Sequence, residues 1–392
     1  MFVCGICTSH VGRLYTSVTL LGSLVALEFL HGHLPKSALP LRTLTSMSKS
    51  IDITPQPHLT ISAHERYVSG IVYLPEGGRL VTSSDETVKI WDLENGEQEG
   101  KAMDDSGFVS QWIRGLAVTR DGKRILSGGL DTVLRVWDVE TQQAIGEWGG
   151  HEVTIVCIAM SPDDELVASG DRNGRILIRE MEDGRITHSI DTVPRDVNSI
   201  SFSPDGTKLA SGHDDMKIRV FDVENGDLVL GPVEGHTLNV NSVVWSLDGS
   251  RLFTASWDHS IRLWDSKTGE AIGDPWAGHT NFVNSISLSP DGTKLASASD
   301  DRTVRFWGAE SGEPLGEPLQ CGSNVWVVTF SPSGEFIACG DINGKVSIWR
   351  VPWWDNSKEE AHKSLLDRPA VTSPSHTARG IDRQLDYLDV NL

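Results

Sequence analysis

From about residue 57 to residue 351 the chain alternates apolar and polar residues in short runs with a period of two. The clearest stretch is residues 278–307, GHTNFVNSISLSPDGTKLASASDDRTVRFW. Here VNSISL alternates as a half-buried strand does, and Ser289-Pro290-Asp291-Gly292 is a turn. KLASAS predicts a second strand, Asp300-Asp301-Arg302 a second turn, and TVRFW a third strand. A looser fourth strand is expected near PLGEPLQ, after Glu310-Ser311-Gly312. No helical period competes anywhere in this region.

The same order of runs recurs seven times. Each copy ends its third run on one anchor position: Trp91, Trp137, Arg179, Phe221, Trp264, Trp307 and Trp349. Successive anchors lie 42 to 46 residues apart, and Trp91, Trp137, Phe221 and Trp264 are followed by Asp. A repeat of roughly 40–45 residues with Gly-His and Trp-Asp landmarks marks a four-stranded blade. One such sheet cannot bury both of its faces, so blades stack radially and close on themselves. The expected fold is therefore all-β, a seven-bladed propeller with flexible N- and C-terminal extensions.

With these landmarks the chain resembles the WD40 repeat family over about 290 of its 392 residues. The resemblance implies that the outer strand of the last blade comes from the start of the chain, and Pro57–Ser62, before Ala63-His64, is the candidate. The propeller is placed at residues 56–354, between an N-terminal extension (1–55) and a polar tail (355–392) that contains Pro369 and Pro374.

Residues 1–50 hold one acid, Glu28, against four bases, Arg13, Lys36, Arg42 and Lys49. Leu14–Leu30 is short and polar for a membrane span. The alternatives are a targeting segment, disorder, or a natural start at Met47. Cys4 and Cys7 form a single CxxC followed by His10, without the second ligand pair of a structural zinc site. No cofactor or metal is expected. Five cysteines suggest no paired framework, which points to a reducing compartment, cytoplasmic or nuclear. The net charge of −20, without a basic run inside the repeats, argues against direct nucleic-acid binding and favours a basic protein partner.

In the WD40 family a His, a Ser or Thr, an Asp and the anchor Trp are linked by hydrogen bonds within a blade. Carried over by position, the sets are His64, Thr82, Asp85 and Trp91; His236, Thr254, Asp258 and Trp264; and His279, Ser297, Asp301 and Trp307. A set that recurs with the period of the fold is structural, whereas a catalytic triad occurs once. The other copies depart from it. The second (Ser127, Asp131, Trp137) and the fourth (Ser211, Asp215, Phe221) lack the His. The third has Asn173 and Arg179 for Asp and Trp beside His151 and Ser169, and the seventh reads Cys321, Cys339, Asn343, Trp349. Blades 3 and 7 are expected to be the least well tied.

The resemblance also implies peptide binding on the narrow face around the central channel, by residues at the start of each inner strand and just before the turn Asp. The inner-strand starts supply Tyr67, Trp112, Arg114, Asp196, Phe282 and Trp326. The pre-turn positions supply Arg172, Asp214, Trp257 and Asp300. Aromatics and Arg dominate binding hot spots. The leading expectation is a non-enzymatic scaffold, a monomeric propeller within a larger complex, that binds a peptide or protein partner on this rim and no membrane. An adaptor subunit of a ubiquitin ligase or chromatin complex is the alternative, set back because Glu94, Glu140 and Lys267 stand where such adaptors carry Arg. A propeller-based enzyme is the third, without a candidate cluster.

Overall fold

The computed structural model describes residues 55–103 and 112–354. The expectations for residues 1–54 and 355–392 concern residues outside that range. The described chain forms seven antiparallel sheets, the blades of a propeller, and we number them 1 to 7 in the order of their anchors. Six blades have four strands. Blade 5 has three, Val240–Trp245, Arg251–Ser256 and Ile261–Asp265, and its fourth segment forms no continuous strand, joining the third through the bridges Ile261–Trp276 and Trp264–Ala271 and the Ile272 N–H bond to the Leu263 carbonyl. In blade 6 the fourth strand shortens to Leu319–Gln320.

Each unit is built as its pattern dictates. In blade 6 the second strand, Lys294–Ser299, is buried along nearly its whole length, while the inner strand, Val283–Leu288, buries Val283 and Ile286 and leaves the rest half-buried. The turn between them is made by side chains. Ser289 Oγ donates to Asp291 Oδ1 at 2.6 Å and accepts the Lys294 N–H at 2.9 Å, and Gly292 takes the φ of +71° that the corner needs.

The core lies between blades rather than within them. Seven apolar clusters occur among the described residues, each uniting neighbouring blades. Phe253, Leu263 and Trp276 of blade 5, for example, pack with Ile286, Leu295 and Trp307 of blade 6. Close approach has a steric requirement. A Cβ on Gly212 would stand 2.7 Å from Val240 of the next blade.

The ring is closed by the start of the chain. Leu59–Ser62 pairs antiparallel with Lys345–Arg350, Leu59 opposite Ile348 and Ser62 opposite Lys345, as the outer strand of blade 7. Its Ile61 joins Val346, Ile348, Tyr73 and Leu80 in the cluster between blades 7 and 1. Burial of the first and last strands of the propeller together makes each a condition of the other's order, since a blade edge left open would expose both apolar surface and unpaired backbone.

Candidate functional site

A bulge shapes the channel mouth. In blades 3 to 7 the pairing of the inner strand with the second strand slips by one residue near its start, leaving Val156, Asn198, Asn241, Asn284 and Trp326 without a partner opposite. Such an extra residue re-aims its side chain. All five, with Ser69 and Arg114 at the same register of blades 1 and 2, line one cavity of about 310 Å³. Trp257 and Asp300 from the pre-turn positions complete its wall.

The rim around this mouth is stitched from blade to blade. In blades 3 to 7 the pre-turn residue is pinned by its backbone N–H to a carbonyl at the start of the inner strand, as in Asp300 to Phe282 at 3.0 Å and Trp257 to Asn239 at 3.1 Å. Side chains then reach the following blade. Trp257 stacks on Phe282 with ring centroids 4.9 Å apart, and its indole N–H donates to Asn284 Oδ1 at 3.3 Å. Tyr67 packs against Trp326 at 4.6 Å, across the junction of blades 1 and 7. Arg172 lies over the Trp112 ring at 5.8 Å, joining blades 2 and 3.

The five aromatics predicted for one rim thus form three groups. Trp326 belongs to the inner ring of bulged residues, Tyr67, Trp112 and Phe282 stand two residues outside that register, and Trp257 is a turn residue. Trp112 and Trp326 remain the open ones, 37% and 38% exposed. Trp112 also has φ of +42°, a backbone region that bulky residues avoid.

The charged residues are partnered too. Asp196 accepts ion pairs from Arg172 at 3.5 Å and Arg114 at 4.0 Å. Burial, then the neighbouring Asp214, raises its pKa above the ordinary carboxyl value. Burial, then Arg172, lowers that of Arg114. Asp214 accepts the Asn198 amide at 2.8 Å and that of Asn239 at 2.6 Å, and Asp300 accepts Asn284 at 2.8 Å. Asp196 is thus faced by two cations, while Asp214 and Asp300 hold only neutral donors. Asn198, Asn241 and Asn284, which recur at one register in the sequence, are as central to the mouth as the aromatics.

Behind the rim lie the internal ties. In blade 5, His236 Nδ1 is 2.8 Å from Asp258 Oδ2, its Nε2 is 2.8 Å from Thr254 Oγ1, and the Trp264 indole donates to the same hydroxyl at 2.8 Å. Blade 6 repeats this with His279, Asp301, Ser297 and Trp307 at 2.8, 2.7 and 2.8 Å. An ionised carboxylate only accepts, so Nδ1 carries the proton, Nε2 accepts the hydroxyl hydrogen, and the hydroxyl oxygen accepts the indole N–H. Burial alone would raise the carboxyls of Asp258 and Asp301, but the imidazole hydrogen bonds bring both well below the usual range.

Blade 1 departs from the expected set. His64 meets Thr82 at 2.8 Å and Trp91 donates to Thr82 at 2.9 Å, but Asp85 pairs with Arg66 at 2.9 Å instead of His64. Burial, followed by the charge of Lys89, lowers the His64 pKa to about 3. Arg66 sits in the loop between His64 and the inner strand, within reach of the carboxylate, and its full charge outcompetes a neutral imidazole.

Blade 3 is better tied than its sequence promised. Asp171, two residues before Asn173, takes the acid's place 2.8 Å from His151 Nδ1, and Ser169 is 2.7 Å from Nε2. Arg179, in the Trp position, donates to the carbonyls of Gly184 and Gly149 at 3.1 and 2.6 Å. Blades 2 and 4 use a buried arginine: Arg135 pairs with Asp131, and Arg219 with Asp215 at 2.6 Å. Blade 4 does contain an imidazole, that of His213 on the second strand, 2.7 Å from Ser211 Oγ. In blade 7 the Sγ atoms of Cys321 and Cys339 lie 3.9 Å apart, and the buried Trp349 indole N–H has only the weakly accepting Cys339 thiol beside it and no hydrogen bond of good geometry. Among the described residues no group of three or more His, Cys, Asp or Glu could hold a metal ion.

Known proteins agree with this architecture. The family model "WD domain, G-beta repeat" matches residues 55–92, 106–138 and 142–179, and "IFT122 first beta-propeller" matches residues 196–373. The chain is similar to nuclear distribution protein nudF of Aspergillus niger, 27% identical over 200 residues that cover 45% of this chain and 44% of that protein. It is 32% identical over 155 residues to WD repeat-containing protein SL1-17 of Schistosoma mansoni, covering 39% of this chain and 50% of that one. It is 28% identical over 179 residues to autophagy-related protein 16 of Arabidopsis thaliana, covering 45% and 34%. The chain thus spans half or less of the length of these relatives.

Proposed function

Since this chain is a WD40-repeat β-propeller protein, we propose that it is a non-enzymatic scaffold that binds a partner protein through the rim at the start of its inner strands. One observation carries the reading. All seven blades send a residue of the same register into one mouth; the exposed Trp326 of blade 7 lines it, and the exposed Trp112 of blade 2 stands two residues before the lining Arg114. Truncating a buried aromatic anchor of a protein interface typically costs 2 kcal/mol or more.

The charge layout favours a partner segment with a basic side chain toward blades 4 to 6. There Asp214 and Asp300 hold only neutral amide donors, so their charge is available to a cation. On the other side Arg114 and Arg172 already face Asp196. The repeated internal His–Ser/Thr sets lie behind the rim, buried, and serve blade structure rather than chemistry.

The test is a quantitative affinity purification with three forms of the protein: wild type, Trp112→Ala/Trp326→Ala, and Leu247→Ser. Leu247 is 56% exposed in a turn that follows the inner strand of blade 5, at the opposite end from the rim. The rim variant should lose the proteins that wild type and the Leu247 variant retain, with an unchanged melting temperature. The same proteins captured by all three would refute the rim as the binding surface.

A further inference from the structure

We propose that Cys321 and Cys339 form a thiol pair that a hydroperoxide oxidises to a disulfide within blade 7. The reasoning starts from register. Cys321, Cys339 and Trp349 stand 42 residues after His279, Ser297 and Trp307, and the strands that carry them pair alike: Val328 opposite Cys339, as Ile286 is opposite Ser297. The two thiols therefore occupy the places of the imidazole and hydroxyl whose hydrogen bond ties the entry loop of blade 6 to its second strand. In blade 7 this connection is only a weak thiol–thiol hydrogen bond, with the sulfurs 3.9 Å apart. Asp341 is placed as Asp171 is in blade 3, accepting the N–H groups of Asn343 and Lys345 at 2.9 and 3.0 Å, but no imidazole is present for it to hold.

The two sulfurs are unequal. Cys321 is partly exposed, whereas Cys339 is buried. The hydrogen bond with Cys321, then burial, holds the Cys339 thiol well above its ordinary range, so it stays protonated and the first oxidation falls to Cys321. The Cys321 thiolate attacks one oxygen of the peroxide, the O–O bond breaks, and the departing hydroxide takes a proton to become water. Cys321 is then a sulfenic acid, Cys–SOH. Cys339 Sγ attacks this sulfur, its proton goes to the leaving hydroxide, and the S–S bond forms. In all, two thiols and one hydroperoxide give one disulfide, a two-electron oxidation, with one water and one alcohol or a second water. The sulfurs must close from 3.9 Å to about 2 Å. The loop beginning at Cys321 carries Asn324 and leads directly into the inner strand that holds Trp326, so the bond fixes the blade 7 part of the rim.

The inference does not depend on the rim being a binding surface, because its readout requires no partner. The full chain is treated with a small excess of hydrogen peroxide, free thiols are alkylated, and the unreduced digest is analysed by mass spectrometry. After cleavage at Glu335, which lies between them, the expected product is a cross-linked peptide pair containing Cys321 and Cys339, absent after reduction and absent from Cys321→Ser. In Cys339→Ser the expected product is a Cys321 sulfenic acid trapped by dimedone, which separates the attacking from the resolving thiol. Closing this loop should raise Tm by roughly 5 °C in wild type and leave Cys321→Ser unmoved. Unchanged thiols, or oxidation of Cys321 beyond sulfenic acid without a cross-link to Cys339, would overturn the proposal. So would a cross-link that uses Cys157.

Discussion

Blades 6 and 7 share one backbone but not one set of ties. Their second strands, Lys294–Ser299 and Phe336–Asp341, have the same burial pattern, and both inner strands bulge at the same place. Yet blade 6 joins loop, second strand and third strand by three hydrogen bonds of 2.7 to 2.8 Å, and blade 7 has two sulfurs and an indole with only a thiol beside it. The strand register is therefore set by the alternation, the turns and the apolar clusters between blades. The internal tie is an addition that fixes the entry loop. Blades 2, 3 and 4, with an Arg–Asp pair, a shifted Asp and a second-strand His, show that several chemistries can occupy its place.

The largest test of this difference removes the tie where it is complete. Asp301→Ala in blade 6 leaves the buried His279 Nδ1–H without its acceptor and should cost about 3 kcal/mol. Cys321→Ser in blade 7 should cost less than about 1 kcal/mol, because no strong bond is lost. Denaturant midpoints of the two variants measured side by side decide it, and equal losses would show that the tie does not distinguish the blades. Next in size is Arg219→Met in blade 4. It strands the half-buried Asp215 carboxylate, and a loss of about 2 kcal/mol is expected. Asp215→Asn, which keeps an acceptor for Arg219, should cost less.

Acid tests blades 1 and 6 through their buried histidines. The His64 pKa falls from 6.5 to about 3 on folding, through burial and then Lys89, so the folded protein refuses a proton that the unfolded chain accepts. This contribution to stability is complete above the unfolded value and is lost as pH falls from about 6.5 to about 3, by up to about 1.4 kcal/mol per pH unit. In blade 6 burial also lowers the His279 pKa, with the Asp301 hydrogen bond opposing it, and Asp301, whose carboxyl is depressed, loses its contribution only below its unfolded value of 3.8. Stability measured against pH should therefore decline less steeply between pH 6 and 4 in His64→Gln than in wild type. An unaltered slope would remove His64 as the source.

How much of this was readable beforehand follows the same division. The seven anchors and their turns disclose the ring, because a strand period and turn chemistry are local. So is the pairing of His236 with Asp258, whose residues stand at matching places in every regular copy. Arg66 capturing Asp85 was not readable, since a charge in a loop becomes a competitor only when the loop is folded. Asp171 was missed because the position expected to hold the acid is Asn173, although the buried second strand ended in an acid. The rim was legible as a list of positions and not as an arrangement. Trp257 on Phe282, Tyr67 on Trp326 and Arg172 on Trp112 are contacts between blades, and a one-blade repeat does not describe its neighbour. The bulge that turns Asn198, Asn241 and Asn284 into the mouth leaves the alternation of the strand almost unchanged, so its signal is weak.

The smallest expected effect is also the one that joins the two blades most directly. Cys321→His with Cys339→Ser would write the tie of blade 6 into blade 7. The hydroxyl at 339 would give the Trp349 indole a stronger acceptor than the thiol now beside it, and Asp341, already buried beside the turn, could receive the imidazole Nδ1–H as Asp171 does in blade 3. Each satisfied bond contributes about 1 kcal/mol net, but the imidazole must be desolvated and fit where a smaller thiol now sits. The balance should be a gain of about 1 kcal/mol, read as a higher denaturant midpoint with the m-value unchanged. The single change Cys339→Ser should give less, because it supplies the indole's acceptor without the imidazole that orients the hydroxyl. If the double variant loses stability while the single one gains it, the entry loop of blade 7 has a path of its own that an imidazole cannot follow, and the equivalence of the two blades ends at their strands.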